Sequence, residues 1–552
     1  MTMLRIEHLP ADIFGLSELS RAAIRGDLES LGIRVPRHAG QISAGDDRLD
    51  PEQRAELSER LVRELSYHSP HVAVLDSARA LAHARCFAIV TGQQPGFTTS
   101  PLYTLYKALS AIRLARVLSQ RLETRVVPIF WNHADDHDIA EAHHTHIVNA
   151  NLDLQKVALP GLSSGRTPLS HVVLEEDKAR LSALRAVFEQ SLRGAPHLES
   201  ALQACFPRSG ETLASATTRS LLTLLGEHGL IVIEPAWIRP ELSRALAQLI
   251  QRSPERAIAA QSARLAAAGH AVALEPEHAA LLFHHEQRGA QPQRRALRAA
   301  EDGYRYDGEE GSRTADELAA EILQEPLAWS AGALLRPVVQ DMVLPTLVYV
   351  GGFGELAYHA QLPLLRAEAG LGPVQFAPRL SATLTDPALR TALEILQTTT
   401  GTVLARKGDL SAPGETADPQ LSIDLRELAK TQAQALLAHR EALQAVEPSL
   451  VVQLKKISGQ IEDLVTTLAD KAARAHHNRS GKGRRHERRA ANVLMPRGLP
   501  QERVLGPLPW IARFGTEWIH ELAREHDPLA MEHLVLHLGA DEVSGEQEDD
   551  GE

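Results

Sequence analysis

Residues Val90–Tyr106, VTGQQPGFTTSPLYTLY, limit the fold more than any other stretch of this chain. The residues before them, Cys86–Val90, form a short apolar, partly β-branched run that reads as a buried strand. Thr91–Gly96 cannot continue that strand, because it carries two glycines and a proline. From Pro101 the apolar residues Leu102, Leu105, Leu109, Ile112 and Ala115 recur every three or four positions, the period of a helix. Arg125–Trp131 is then a second apolar strand. Strand, loop, helix and strand of this length make a parallel crossover unit. Ligands of such units gather at the carboxyl ends of the strands. A glycine-bearing loop that feeds a helix offers N–H groups and a positive dipole end to an anion.

Composition removes several classes of function. At 552 residues the chain can bury a large core and hold two or three structural units. A net charge of −12 argues against a general nucleic-acid binder. No apolar run reaches transmembrane length, and MTMLRIEHLPADIFG lacks the apolar centre of a signal peptide. Cys86 and Cys205 are the only cysteines, so neither a disulfide framework nor a cysteine zinc cluster is expected. A reducing cytoplasm is the expected location.

Residues 1–80 read as mixed and mostly helical, with amphipathic spacing over 16–25 and 52–66. Residues 151–330 alternate helices and short strands, among them Leu230–Pro235, Leu281–His285 and Ala296–Tyr306, and read as insertions into an α/β core. The core pattern returns at Leu335–Asp341. Thr346–Glu355 is again a strand that enters a glycine turn, followed by a helix to about Ala369 and a strand at Val374–Arg379. Two strand–glycine turn–helix units far apart in sequence suit the halves of a doubly wound parallel sheet. Beyond about 424 the texture changes. Leu450, Leu454, Ile457, Ile461, Leu464 and Leu468 form a heptad seam, and Leu425, Leu428, Leu436, Leu443 and Val446 a looser one, with Pro448 between. Two helices folded as a hairpin, or paired across a dimer, would bury both. Residues 479–490 are basic, Trp510–Arg524 reads as a final helix, and 541–552 as a disordered acidic tail. The expected domains are 1–395, with insertions within about 151–330; a helical 396–490; and a segment 491–540 that packs back on the core.

Three stretches carry chemistry. In Gly92-Gln93-Gln94-Pro95-Gly96 the amides can meet a ligand, or the stretch is only a tight turn. Tyr103 and Lys107 share a helix face, where Lys107 either reaches an anion in the loop or is solvated. Asn132–His146 holds three Asp, one Glu and five His just past a strand end. Asp136, His137 and Asp138 there could orient a hydroxyl, hold Mg²⁺ or take a proton from an amine; the plainer alternative is a polar strand end with a helix cap at Asp135 or Asp136. A metal set from Asp136, His137, His144 and His146 lacks HExxH spacing and a cysteine partner, and no metal is expected there. Arg336, Gln340, Asp341, Gly351, Gly352 and Glu355 form either a second lip of the cleft or a polar core network beside a turn.

Four segments in this order resemble the bacillithiol biosynthesis cysteine-adding enzyme family: VTGQQPGFTTSPLYTLYKALSAIRLA (90–115), VVPIFWNHADDHDIAEAHHTHI (126–147), LRPVVQDMVLPTLVYVGGFGELAYHAQL (335–362) and LMPRGLPQERV (494–504). The resemblance implies an α/β fold: a Rossmann-type, nucleotidyltransferase-like parallel sheet core with inserted subdomains, plus an α-helical coiled-coil domain. It implies a ligase that joins the carboxyl of L-cysteine to the amino group of glucosaminyl-malate, the last step of bacillithiol assembly. Likeness of that core to class I aminoacyl-tRNA synthetases suggests activation of the carboxylate by ATP and Mg²⁺, although no HxGH signature is present. A homodimer through the coiled coil is expected, with no nucleic acid or membrane partner. On this reading Asp136, His137 and Asp138 are catalytic. Gln93, Gln94, Gly96, Tyr103, Lys107, Arg336, Gln340, Asp341, Gly351, Gly352 and Glu355 bind substrate or nucleotide. The rival readings are a nucleotidyltransferase or adenylating enzyme for another small acid, a non-catalytic coiled-coil dimer with a nucleotide-binding pocket, and a metal-dependent hydrolase.

Overall fold

The two apolar runs that flank the glycine loop are neighbouring strands of one sheet. The structure is a computed structural model and describes residues 4–45, 48–149, 151–160, 165–174, 178–275, 278–289, 291–300, 303–309, 311–410, 419–447, 449–477 and 484–539. The chain divides into two compact units: Met1–Pro387 with Val493–Glu552, and Ala388–Asn492.

The first unit is built on six parallel strands: β1 (Ile33–Arg34), β2 (Phe87–Gln93), β3 (Val126–Asn132), β4 (Ile231–Ile233), β5 (Thr346–Gly351) and β6 (Val374–Pro378). Their spatial order is β1-β6-β5-β2-β3-β4. β3, β4 and β5 are buried along their whole length and β2 up to its last residue, as the unbroken apolar runs require of strands covered on both faces. From β2 the chain moves outward to β3 and β4, while from β5 it moves the other way to β6. The order therefore reverses between β2 and β5, and a crevice opens there at the carboxyl ends. Thr91 Oγ1 donates to Val350 O at 2.8 Å and ties the two strands beside that point.

Four helices frame the crevice: α1 (Leu102–Arg121), α2 (Arg239–Ile250), α3 (Arg336–Val343) and α4 (Phe353–His359). The helix read as continuous from 355 to 369 is two, α4 and Pro363–Glu368, because Pro363 has no N–H for the helical ladder. The insertion contributes an antiparallel sheet whose strands include Leu282–Arg288, Gln291–Ala300 and Trp329–Ala331.

A third sheet joins the two ends of the unit. Glu532–His537 pairs antiparallel with Arg5–Pro10 and parallel with Ser381–Thr385. Sequence patterning showed neither terminal strand: two of the inward residues of the last one are His533 and His537, which find Thr383 and Thr385 hydroxyls. Trp510–Arg524, expected as one helix, is Leu508–Phe514 and Glu517–Glu525, divided at Gly515 with φ 72°.

In the second unit, Pro419–Leu437 and Ser449–His477 pack as a hairpin, with Ala429, Ala433, Leu454, Ser458 and Ala469 buried. Ser458 Oγ donates to Ala433 O at 3.1 Å. The heptad seam is only partly used: Ile457, Leu464 and Leu468 are exposed, as are Ile423 and Leu428. Pro448, residues 479–483 of the basic run and the acidic tail lie outside the described residues.

Candidate active site

β2 runs straight into Gly92 and Gln93, and two contacts require Gly92. A Cβ there would stand 2.6 Å from His133 Nε2 and 2.6 Å from Trp131 O. Gly96 has a different task from the one expected. Its Cβ would meet Ser100 O at 2.0 Å, and its N–H donates to Thr217 Oγ1 at 3.3 Å. The first N–H of α1, on Leu102, is taken by Leu505 O at 2.8 Å. Gly96 is thus a steric turn and not a ligand cradle, and these amides are not free for an anion. Thr98 and Thr99 hold φ of 57° and 59°, which costs β-branched residues about 1–3 kcal/mol each. Thr99 Oγ1 is held by the Ser220 hydroxyl at 2.6 Å.

Lys107 turns inward. Its ammonium is buried and donates to Gly92 O at 2.7 Å and Gln93 Oε1 at 2.8 Å, and pairs with Glu355. Burial pushes this ammonium below its ordinary pKa, against the pull of Glu355. Glu355 also accepts from the Tyr349 hydroxyl at 3.1 Å and from Gly352 N at 3.4 Å. Lys107 therefore stitches the end of β2 to the turn after β5, across the crevice. Gln93 Nε2 donates to the Tyr103 hydroxyl at 3.2 Å, which reaches Glu141 at 3.4 Å. Gly351 and Gly352 form the turn; a Cβ on Gly351 would press at 2.9 Å on Phe376.

The next group lies at the end of β3. Asp136 accepts from Gln94 Nε2, from His137 N at 2.7 Å and from Arg294 Nη1 at 3.2 Å. Burial alone would raise this carboxyl; Arg294, Gln94 and the His137 N–H outweigh it and hold Asp136 below its usual range. Arg294 also donates to His137 Nδ1 at 3.0 Å, so neutral His137 presents an N–H from Nε2. Burial, then the Arg294 charge, keeps His137 below its ordinary pKa. Asp138 is exposed and caps Ile139–Ala142 through Glu141 N at 3.2 Å. The cap is two positions beyond Asp136, the later of the two foreseen, and Asp138 is not among the residues that line the cavity.

Gln340 and Asp341, expected at the crevice, do not line the cavity. α3 brings its first residue, Arg336, to the cavity. One turn on, Asp341 is sealed against Arg366 and Gln340 against Asp341 at 3.4 Å, both buried. Of these three neighbours on α3, Arg336 alone lines the cavity.

Beside Asp136 a cavity of about 340 Å³ lies between the ends of β3 and β4 and the inserted sheet. Trp131, Phe283, Trp329 and Leu334 give it apolar walls, and Asp135, Arg239, Arg294 and Arg336 its charge. Arg239 makes a two-pronged pair with Asp135, one arm at 2.8 Å. Burial would raise Asp135, but Arg239 holds it at about 2. The buried Arg294 lies 3.7 Å from the Phe283 ring centroid, and burial brings its pKa down to about 10. The charge of Arg336 is felt by Tyr358, Asp136 and Glu355. Among the described residues no carboxylate forms an ion pair with it. Four polar atoms here are buried without a partner among the described residues: Trp131 Nε1, Trp329 Nε1, Arg294 Nε and Gln94 Oε1.

Arg239, Arg294, Trp131 and Trp329 were not foreseen. Arg294 and Arg298 alternate with apolar Leu297 along Gln291–Ala300, and that inward charge was the available signal. Among the described residues no helix is long and apolar enough to cross a membrane.

Residues 37–368 match the profile of the bacillithiol biosynthesis BshC N-terminal Rossmann-like domain, and 382–538 that of the BshC C-terminal coiled-coil domain. Relatives include BshC of Koribacter versatilis, 31% identical over 79% of this chain and 81% of the relative. BshC of Geobacillus thermodenitrificans is 31% identical over 86% and 89%, and that of Chlorobaculum tepidum 30% over 83% and 84%. Each of these is named, provisionally, as a cysteine ligase. With a parallel sheet carrying the crevice and both profiles matched in order, the chain belongs to the bacillithiol biosynthesis BshC family.

Proposed function

We propose that this chain is a ligase that joins the carboxyl of L-cysteine to the amino group of glucosaminyl-malate. The observation that carries the reading is the set of unspent polar atoms around the cavity. Among the described residues, Trp131 Nε1, Trp329 Nε1 and Arg294 Nε are buried donors without acceptors, and Gln94 Oε1 is a buried acceptor without a donor. Leaving such groups unmade costs about 1–3 kcal/mol each. Carboxylates and sugar hydroxyls would satisfy the donors, and an amine would satisfy the acceptor. Glucosaminyl-malate carries all three groups.

Arg336 and Arg294 then hold the malate carboxylates, which suit guanidinium forks. Gln94 Oε1 and the anionic Asp136 hold the amine. Because Asp136 is kept ionised, it holds an ammonium well and accepts a proton as the C–N bond forms. His137 donates from Nε2. Lys107 and Glu355 position the strand ends and are not the reacting groups.

Amide formation from a free carboxylate is uphill in water, so ATP with Mg²⁺ is proposed as activator. The amides of Gly96 and Leu102 are spent, so the loop is not the proposed phosphate cradle. The exposed face of Ile457, Leu464 and Leu468 is proposed to meet a second copy, giving a homodimer through the coiled coil. A cytoplasmic location is proposed, with no nucleic-acid partner.

The test is mass-spectrometric detection of bacillithiol from purified protein, cysteine, glucosaminyl-malate, ATP and Mg²⁺, with each left out in turn. Product that requires both organic substrates supports the ligase. Product without ATP discards the activation step alone. Pyrophosphate release with a different acceptor, and no bacillithiol, would replace this reading with an adenylating enzyme for another acid.

A further inference from the structure

A second polar cluster lies apart from the crevice, where the turn Gly226–His228 enters edge strand β4. Helix Glu517–Glu525, near the carboxyl end of the chain, packs on α1 and brings His520 to that turn. Three side-chain atoms converge. His228 Nε2 is 3.0 Å from His520 Nδ1, His520 Nδ1 is 3.1 Å from Glu227 Oε1, and His228 Nε2 is 3.4 Å from Glu227 Oε1.

Hydrogen bonds alone serve this triangle badly. A neutral imidazole nitrogen either donates one hydrogen or accepts one. If both nitrogens carry a hydrogen, both can donate to Glu227, but the 3.0 Å edge then sets two donors against each other; if only one does, at least one edge has no hydrogen. A divalent cation would serve all three atoms at once. Zinc takes His nitrogen at about 2.0–2.1 Å and carboxylate oxygen at about 2.0–2.2 Å in a tetrahedron, whose edges are then roughly 3.3–3.5 Å. The observed edges of 3.0, 3.1 and 3.4 Å approach the size of one such face. Two histidines and a glutamate are also a known zinc donor set, with the fourth place left to water.

We infer that Glu227, His228 and His520 bind one zinc ion, which clamps the carboxyl-terminal helix Glu517–Glu525 to the turn that enters β4. His228 and His520 are mostly covered, while half-exposed Glu227 leaves a path for entry. Arg524, near enough for His228 to feel its charge, is bound to Glu517 at 2.9 Å. The exposed Arg116 also stands near. His143, His144 and His146, closer in sequence, touch ring to ring at 5.0 and 5.1 Å without bringing three donor atoms together.

The experiment uses full-length protein without a histidine tag, stripped with a chelator and titrated with zinc against a chromophoric competitor. Wild type should take up one equivalent, and its thermal midpoint should rise with zinc. Cobalt in place of zinc should give the visible absorption of a four-coordinate site. His228→Gln with His520→Gln should weaken uptake by about 100-fold or more, the upper end of what even a supporting contact costs. Glu227→Gln should weaken it less, and His144→Gln with His146→Gln should leave it unchanged. Circular dichroism of the glutamine variants separates lost binding from lost folding. No uptake by wild type would overturn the inference, and so would uptake that survives in the folded His228→Gln, His520→Gln protein.

Discussion

Replacing Lys107 with methionine tests whether the crevice is held by one buried cation. Methionine keeps most of the stem's packing, so the change removes charge and hydrogen bonds with little volume. Three contacts go: Gly92 O at 2.7 Å, Gln93 Oε1 at 2.8 Å and the Glu355 carboxylate. Glu355 keeps the Tyr349 hydroxyl and Gly352 N, but its charge loses its counterion. Breaking a buried pair from one side costs about 3–5 kcal/mol, most of it the penalty on the abandoned charge. Glu355 is 20% exposed, which puts the expectation at the lower end, about 3 kcal/mol. For a unit of roughly 450 residues the unfolding entropy is about 0.9 kcal/mol per kelvin. The thermal midpoint of that unit should therefore fall by about 3–4 °C in calorimetry. Adding Glu355→Gln removes the stranded charge and should restore about half of the loss. A single-variant shift below about 1 °C, or a double variant no better than the single, would refute the reasoning.

Other outcomes follow from the same geometry. Asp136→Asn should lower turnover by about 10²–10⁴-fold; it also leaves the buried Arg294 without its counterion, so the thermal midpoint should fall while circular dichroism still shows the folded protein. Asp138→Ala removes a helix cap and should cost about 1 kcal/mol at most, with turnover within about twofold of wild type. Glu234 is buried, and burial raises its carboxyl to about 7, with the Thr218 hydroxyl opposing. The folded state thus binds this proton more tightly than the unfolded one. Its contribution is complete below about pH 4.5 and is lost as pH rises to about 7, a fall of about 3 kcal/mol. Glu234→Gln should flatten that part of the stability–pH curve in chemical unfolding. If the proposed homodimer forms through the coiled coil, Leu464→Glu with Leu468→Glu should turn it into a monomer by sedimentation; a wild type that is already monomeric would remove the dimer, and a variant still dimeric would place the interface elsewhere.

How far the sequence foretold this site depended on how local the signal was. The first two strands are legible in their apolar runs, 86–90 and 125–131, because such runs are what a doubly covered parallel strand needs; the first strand also runs on through Thr91, Gly92 and Gln93, where a loop was expected. Gln93, Gln94 and Asp136 follow because strand ends meet the crevice. Gly96 misled because a glycine needed for close approach to its own chain, here Ser100 O, looks the same as one needed for a ligand. Gln340 and Asp341 misled because closeness to Arg336 along the chain does not show which side of the helix meets the cavity. Arg239 and Arg294 come from segments more than a hundred residues downstream of Asp135 and Asp136, and only the folded insertion sets them against those carboxylates. Glu227 and His228 lie 293 and 292 residues from His520, beyond any spacing rule.

The central claim is that the cavity beside Asp136 is where cysteine meets an amine-bearing dicarboxylate. The most direct measurement is bacillithiol formation by mass spectrometry for wild type and Arg336→Leu, assayed side by side with cysteine labelled with ¹⁸O in its carboxyl. The account predicts product from wild type with one label passed to a phosphate-containing by-product. It predicts at least about 100-fold less product from Arg336→Leu at an unchanged thermal midpoint. Equal product from the two proteins would contradict it.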